Sequence, residues 1–117
     1  MKNIILTLAN SFMCVWAAAQ ISNVKADGKH LYIYNTEGRK ISDFYCLGTL
    51  FGYSTSLIGT ADAKHIYLYD ETGRKIADFY CYGNPVNVSG NNIISKDGKH
   101  VYVYDKRGRK TSDYYER

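Results

Sequence analysis

The chain has 117 residues, of which 45% are hydrophobic and 22% charged, and its formal net charge is +4. A chain of this length has room for one domain and not for two. The lysines and arginines are spread along the chain. This argues against a nucleic-acid-binding surface, because phosphate contacts need basic side chains grouped on one face.

The first nineteen residues follow the three-part plan of a secretory signal peptide. Lys2 supplies a positive start, residues 4–9 an apolar run, and residues 17–19 a small-residue cleavage site before Gln20. The apolar run is too short to span a membrane as a helix. We therefore expect residues 1–19 to be a signal peptide and residues 20–117 a single three-repeat β domain, in a secreted or periplasmic protein. The alternative is that residues 1–19 hold a hydrophobic first strand of the fold.

One stretch of the chain occurs three times at a constant spacing of 35 residues, beginning at His30, His65 and His100. Each copy alternates aliphatic residues with His and Tyr, which is the period-two pattern of a β-strand. An Asn or Asp then begins a turn that ends at Gly38, Gly73 or Gly108, and this combination is typical of a type I turn with a G1 bulge. The repeated stretch therefore predicts a β-hairpin.

The return strand of each hairpin begins at Lys40, Lys75 or Lys110. We expect Ile33 to lie opposite Ile41, which makes one face of the hairpin aliphatic. The other face then carries most of the aromatic residues of the repeat, namely His30, Tyr32, Tyr34 and Phe44. A slip of one residue in this register would move every side chain of the return strand to the other face.

The segments between the hairpins predict a second, smaller hairpin in each repeat, so that a repeat has four short strands. Before the first copy, residues 21–24 supply only one of the two extra strands. We expect the chain end at Tyr114 and Tyr115 to complete this first unit.

Three tandem copies of such a unit are stable only by packing against one another. The expected architecture is all-β, with three 35-residue repeats in a pseudo-threefold body like a β-prism or β-trefoil, which leaves few sheet edges exposed. A propeller-like arc, closed into six blades by a second chain, is the alternative. An open β-solenoid is the third possibility.

The string Tyr-x-Tyr-Asp-x-x-Gly-Arg at residues 67–74 and 102–109, with Asn35 for Asp in the first copy, resembles the YD (Rhs-type) repeat of bacterial surface and toxin-shell proteins. The resemblance covers only the hairpin, and the 35-residue period is longer than the usual repeat. The three-copy plan also resembles monocot mannose-binding lectins, which are β-prisms. Their sugar motif, Gln-x-Asp-x-Asn-x-Val-x-Tyr, lacks its Gln and Asn here, so the mannose site is not carried over.

The His-x-Tyr-x-Tyr strands hold the candidate binding residues, because aromatic rings on a strand face can stack against sugars or proteins. This ligand-binding set is His30, His65, His100, Tyr32, Tyr34, Tyr67, Tyr69, Tyr102 and Tyr104. The competing interpretation is that the same residues form a second core. Tyr follows each His at the second position, where a metal site would need another ligand, so we expect no metal and no cofactor.

Asp43, Asp78 and Asp113 are the only candidates for acid–base chemistry, which needs two carboxylates in one cleft. Three equivalent Asp residues more often bind Tyr hydroxyls, Lys or backbone amides. The chain has no nucleophile motif and no phosphate-binding loop. Cys46 and Cys81 occupy equivalent positions and are either a disulfide or two buried thiols.

These observations predict a non-enzymatic binding module that recognises a glycan or a protein through Tyr-rich strand faces. The alternative is a structural or interaction repeat protein that forms homo-oligomers through its sheet edges.

Overall fold

The computed structural model describes residues 20–117, and the expected signal peptide at residues 1–19 lies outside the described residues. Within residues 20–117 the chain forms eleven β-strands and no helix. In chain order the strands are β1 (Asn23–Asp27), β2 (His30–Tyr34), β3 (Lys40–Tyr45), β4 (Thr49–Tyr53), β5 (Ile58–Asp62), β6 (His65–Tyr69), β7 (Lys75–Tyr80), β8 (Asn84–Ser89), β9 (Asn92–Asp97), β10 (His100–Tyr104) and β11 (Lys110–Tyr115).

The strands form three antiparallel sheets, in each of which every strand pairs with the next one in the chain. Sheet 1 is β1–β3, sheet 2 is β4–β7 and sheet 3 is β8–β11. The prediction of four strands per repeat is confirmed for sheets 2 and 3. Sheet 1 has three strands among the described residues. Tyr114 and Tyr115 do not complete it, because they end β11 and pair with Val101 and His100 inside sheet 3.

The turn of each main hairpin is held by its Asn or Asp, as the sequence predicts. The Oδ1 atom of Asn35 accepts hydrogen bonds from the backbone N–H groups of Glu37 and Arg39, at 2.9 and 3.0 Å. Gly38 has φ +81°, in the left-handed region that favours glycine, and its N–H donates to the Asn35 carbonyl. Asp70 and Asp105 make the same bonds in the other two copies.

The register of the hairpin differs from the expected one by a single residue. A β-bulge lies between Ile33 and Tyr34, and it leaves Ile41 without a partner, so that Ile33 is opposite Ser42. The bulge adds one residue to the return strand, which reverses the face of every residue that follows. The expected pairing of Ile33 with Ile41 is therefore wrong.

The shifted register changes which residues share a face. Phe44 lies opposite Leu31 and joins the aliphatic face, which corrects its expected place on the aromatic face. Asp43 and Tyr45 lie opposite Tyr32 and His30 and join the aromatic face. The same exchange occurs in the second and third hairpins.

The three sheets stack face to face in a row and enclose two cores. The first core lies between sheets 1 and 2 and contains Ile21, Val24, Leu31, Ile33, Cys46, Ile58 and Tyr69. The second lies between sheets 2 and 3 and contains Leu57, Ile66, Leu68, Cys81, Val88, Ile93 and Tyr104. Sheet 2 is thus buried on both faces. The aliphatic residues Leu31, Ile66 and Val101 are all buried, as the repeat predicts.

The three sheets are stacked in series, as the propeller-like alternative predicts. Sheets 2 and 3 meet through their first strands, β4 and β8. A β-prism or β-trefoil is not confirmed, because the sheets contact in series across two separate cores. The physical reason is that Tyr69 and Tyr104 are buried, so the aromatic faces of sheets 2 and 3 each pack against the preceding sheet.

Candidate functional site

Three aromatic rings stack in the same way in every sheet. In sheet 3 the His100 ring lies between Tyr102 and Tyr115, with centroid distances of 4.1 and 4.2 Å and interplanar angles of 25° and 27°. His30 and His65 are stacked in the same manner, with every centroid distance 4.3 Å. We call each stack a ladder; the three ladders are Tyr32–His30–Tyr45, Tyr67–His65–Tyr80 and Tyr102–His100–Tyr115.

The local fold explains why these rings meet. His100 and Tyr102 are two residues apart on β10, so their side chains point to the same face. Tyr115 lies directly opposite His100 on β11 because of the bulge between Val103 and Tyr104. Without the bulge, Tyr114 would lie opposite His100 in place of Tyr115. The ladder therefore depends on the β-bulge.

Each ladder is fixed by a chain of polar contacts. In sheet 3 the His100 Nε2 lies 2.9 Å from an oxygen of Asp113, and its Nδ1 lies 3.0 Å from the Tyr102 hydroxyl. The other oxygen of Asp113 is 2.9 Å from the Lys110 amino group, which also lies 5.8 Å from the Tyr102 ring centroid. With its proton on Nε2, the imidazole donates to Asp113 and accepts from the Tyr102 hydroxyl. Sheets 1 and 2 repeat these contacts.

These contacts lower the pKa values of the three Asp carboxylates. Hydrogen bonds from Lys110 and His100 hold the pKa of Asp113 below its ordinary value, and His30 and Lys40 do the same for Asp43. Desolvation raises the pKa of Tyr102. Each Asp is bound inside its own ladder, in a different sheet, so no two of them face one cleft as acid–base catalysis requires.

We expect acid to weaken the protein through the three ladder carboxylates. Because their pKa values are lower in the folded protein than the ordinary 3.8, their stabilisation is complete above about pH 4 and is lost as the pH falls through the folded values. Urea unfolding of the wild type and Asp113→Asn between pH 6 and pH 2 measures this, and the variant should lose less stability on acidification. Ser112→Ala, at an exposed and uncharged neighbour of Asp113 on the same strand, should keep the wild-type pH profile. An equal acid loss in wild type and Asp113→Asn would contradict the prediction.

The outermost ring of each ladder is exposed to solvent. Tyr45, Tyr80 and Tyr115 have 76%, 75% and 71% of their surface exposed, although one side of each ring is stacked on histidine. Tyr82, 64% exposed, extends the third ladder by lying 5.4 Å from the Tyr102 ring, and Leu47, 51% exposed, occupies the equivalent place in the first repeat. We call the four exposed tyrosines, Tyr45, Tyr80, Tyr82 and Tyr115, the aromatic rim; Leu47 lies beside it.

The predicted binding residues fall into two groups. His30, His65, His100, Tyr32, Tyr67 and Tyr102 come together in the ladders and are half-buried. Tyr69 and Tyr104 are buried between sheets, where their hydroxyls accept hydrogen bonds from the N–H groups of Leu47 and Tyr82 at 2.9 and 2.8 Å. They are not available to a ligand, which corrects their assignment from sequence. Tyr34, at the equivalent position of sheet 1, is half-buried.

The rim tyrosines are the residues that sequence reasoning missed. Tyr45, Tyr80 and Tyr115 recur at the same 35-residue spacing as the histidines, and this was the available signal. These tyrosines lie on the aromatic face only because of the β-bulge, and the expected register, which pairs Ile33 with Ile41, places them on the opposite face.

The remaining candidate groups are structural. Cys46 and Cys81 are free thiols buried in different cores, and burial raises the pKa of both. Among residues 20–117, no three His, Cys, Asp or Glu side chains converge to hold a metal ion. The part of the chain that the structure describes also has no helix with the length and hydropathy needed to cross a membrane.

The sequence matches no protein-family model, and no curated protein sequence matches it significantly. Among solved structures, the fold is similar to that of BamB from Moraxella catarrhalis, with a TM-score of 0.57 and 14% sequence identity. The similarity covers 80% of this chain and 32% of that one, so this chain spans about a third of the BamB structure. At a sequence identity this low, the similarity is evidence for the fold alone. The likeness supports a propeller-like arrangement of the three sheets, rather than the YD-repeat or β-prism relationship.

Proposed function

We propose that this protein is a non-enzymatic interaction module that binds a protein partner through the aromatic rim. The observation that supports it is the exposed tyrosine at the end of each ladder, held in place by a stacked histidine. The propeller-like fold is compatible with such a role. Residues 1–19, expected from the sequence to be a signal peptide, would place the partner outside the cytoplasm.

The ladders lower the cost of binding. A free surface side chain loses about 0.5–1.5 kcal/mol of conformational freedom when a partner immobilises it. The Tyr115 ring has already lost part of this freedom, because His100 holds one of its sides and Asp113 holds His100. Rigid tyrosines with one open side are typical of the residues that dominate protein interfaces.

The shape of the rim favours a protein over a single sugar. Sugar and small-molecule sites are usually concave, with several polar groups converging on the ligand. Two clefts lie near the turns at the opposite ends of the strands, one lined by Asn91, Asp105 and Arg107 and the other by Asn23 and Tyr34. The rim tyrosines line neither of these two clefts. An open row of rings suits an extended macromolecular surface better.

Association through the outer sheet edges is the other function that the sequence predicts. The outer strands β3, β7 and β11 each carry a Lys and an Asp that point from the same face into the ladder. Charged side chains on a short edge strand oppose pairing with another edge. The charges on these strands therefore argue against association through the sheet edges, and the exposed rim favours binding of a partner instead.

The proposal is tested by the triple variant Tyr45→Ser/Tyr80→Ser/Tyr115→Ser. Tagged protein incubated with extracellular or periplasmic extract should retain a partner that the triple variant binds at least about tenfold more weakly, since each truncated anchor costs about 1 kcal/mol or more. The matched control is Arg39→Ser/Arg74→Ser/Arg109→Ser, in the opposite turns, which should bind as the wild type does. Far-ultraviolet circular dichroism checks that both variants fold.

Two results would overturn the proposal. One is a partner that binds the tyrosine variant and the wild type equally well. The other is a glycan array on which the wild type binds and the tyrosine variant does not, since this would assign the rim to carbohydrate.

A further inference from the structure

We propose that two copies of this chain join head to tail into a six-bladed ring, with sheet 3 of each copy packing on sheet 1 of the other. This inference goes beyond the rim and rests on different residues. It follows from an interface that the chain already builds twice and whose two halves recur, without a partner among residues 20–117, on the outer faces of sheets 1 and 3.

The junctions between neighbouring sheets are equivalent. At the first, the Tyr69 ring packs on Phe44 with centroids 4.9 Å apart, and its hydroxyl accepts from the Leu47 N–H. At the second, Tyr104 packs on Phe79 at 5.1 Å and accepts from the Tyr82 N–H. The chain therefore has a defined way to add one sheet to the next.

Sheet 1 carries one half of this junction on its outer face. Tyr34 stands 35 residues before Tyr69 and is the equivalent ring. Gly38 is equivalent to Gly73, where a Cβ would lie 2.6 Å from the Phe44 ring, yet nothing lies within 4 Å of the Cβ position at Gly38. The space that Phe44 fills beside Gly73 is thus open beside Gly38.

Sheet 3 carries the other half. Tyr114 stands at the position of Phe44 and Phe79, and its ring is 53% exposed. Val103, at the position of Ile33 and Leu68, is only half-buried, whereas both of those residues are fully buried. Among residues 20–117, a half-exposed aromatic ring therefore lies at one end of the arc, and an open ring site lies at the other.

The charges at the two ends are complementary at positions whose equivalents lie at the junctions inside the chain. At the second junction Ser95 of sheet 3 lies beside the end of sheet 2 at Cys81, since its hydroxyl donates to the carbonyl of the next residue, Tyr82. The residues equivalent to Ser95 and Cys81 at the ends of the arc are Lys25 and Glu116. Head-to-tail packing would bring the Lys25 ammonium of one copy to the Glu116 carboxylate of the other. Within one copy, Glu116 lies 2.7 Å from the Lys96 amino group of its own sheet.

The number of sheets agrees with half of a ring. Three sheets from each copy make six blades, within the range of four to eight that propellers typically have. A head-to-tail contact closes when the rotation per copy allows it, and two copies then share two identical junctions.

The competing structure is a monomeric arc whose ends are capped by polar residues. Asn23 replaces the buried Ile58 and Ile93 at the outer face of sheet 1, and repeat proteins often end in such caps. Asn23 beside the Lys25–Glu116 pair is also compatible with an interface between two copies, because each copy exposes this face to water before they associate. The two structures differ in mass and in their response to charge reversal.

The experiment measures the mass of the full chain by light scattering and sedimentation at several concentrations. The wild type is expected at twice 13.3 kDa. Lys25→Glu and Glu116→Lys should each place like charges at both junctions and raise the dissociation constant by about tenfold or more. An equimolar mixture of these two variants should form dimers again, because both of its junctions pair Glu with Lys. Arg74→Glu, whose side chain is 81% exposed in the middle sheet, makes the same change of charge and should leave the dimer intact.

A wild type that stays at 13.3 kDa at every concentration overturns the proposal. So does a dimer whose mass is unchanged in Lys25→Glu, or a mixture of the two variants that stays monomeric while each variant is folded. Species larger than the dimer would show an open chain of copies and overturn the six-bladed closure.

Discussion

Ile66→Ala is expected to lower the free energy of unfolding by about 2–5 kcal/mol, the usual cost of truncating a fully buried aliphatic residue. Ile66 lies on β6 with no exposed surface, in the core between sheets 2 and 3. The neighbouring side chains come from strands of two different sheets and cannot collapse fully into the space left behind. Stabilities of whole domains are about 5–15 kcal/mol, so this change should bring the protein close to unfolding.

The control for this truncation is Ile76→Ala, the same change on the adjacent strand β7 of the same sheet. Ile76 is 44% exposed, and its loss should cost less than about 1 kcal/mol. Urea unfolding, monitored by far-ultraviolet circular dichroism, compares the free energies of unfolding of the two variants. Equal costs for the two variants would mean that the stacked sheets do not form the core described above.

Gly83→Ala is expected to be as damaging, for a different reason. Gly83 has φ +72°, and a Cβ there would overlap the backbone carbonyl of Lys96 on β9. The left-handed conformation costs a non-glycine residue about 1–2 kcal/mol, and overpacking adds about 1–3 kcal/mol. The loop at Gly83 carries the chain from the outer edge of sheet 2 to the first strand of sheet 3, so the clash cannot be relieved without moving one sheet.

Gly98→Ala separates the two contributions. Gly98 has φ +62° in the turn before β10, and nothing lies within 4 Å of its Cβ position. This variant should lose only the conformational part, about 1–2 kcal/mol. Urea unfolding of both variants measures the difference, and a Gly98→Ala cost equal to that of Gly83→Ala would rule out the overlap with Lys96 as its cause.

The two proposals concern different parts of the arc and are compatible. The rim lies at the ends of the strands, where Tyr45, Tyr80 and Tyr115 repeat from sheet to sheet. The self-association surfaces are the outer faces of sheets 1 and 3. Closure into a ring would double the number of ladders and add avidity for a partner that reaches several of them.

Local sequence determined the hairpins of this protein. Alternating side chains specify the strands, and the Asn or Asp with its Gly specifies the turn, because both act over a few neighbouring residues. The segments between the hairpins likewise predict four strands per repeat, which sheets 2 and 3 confirm, while sheet 1 has three among the described residues. None of these features depends on contacts distant in the chain.

Only the tertiary structure decided the stacking and the exposed surface. The bulge beside Tyr34, which recurs in the other two hairpins, places Phe44 on the core face and Tyr45 on the other face. Phe44 then packs against the turn at Gly73 of the next sheet. Tyr69 has the alternation of a surface residue and is buried, since another sheet covers its face. A period of two tells which residues share a face, but the neighbour that packs on that face decides whether it is core or surface.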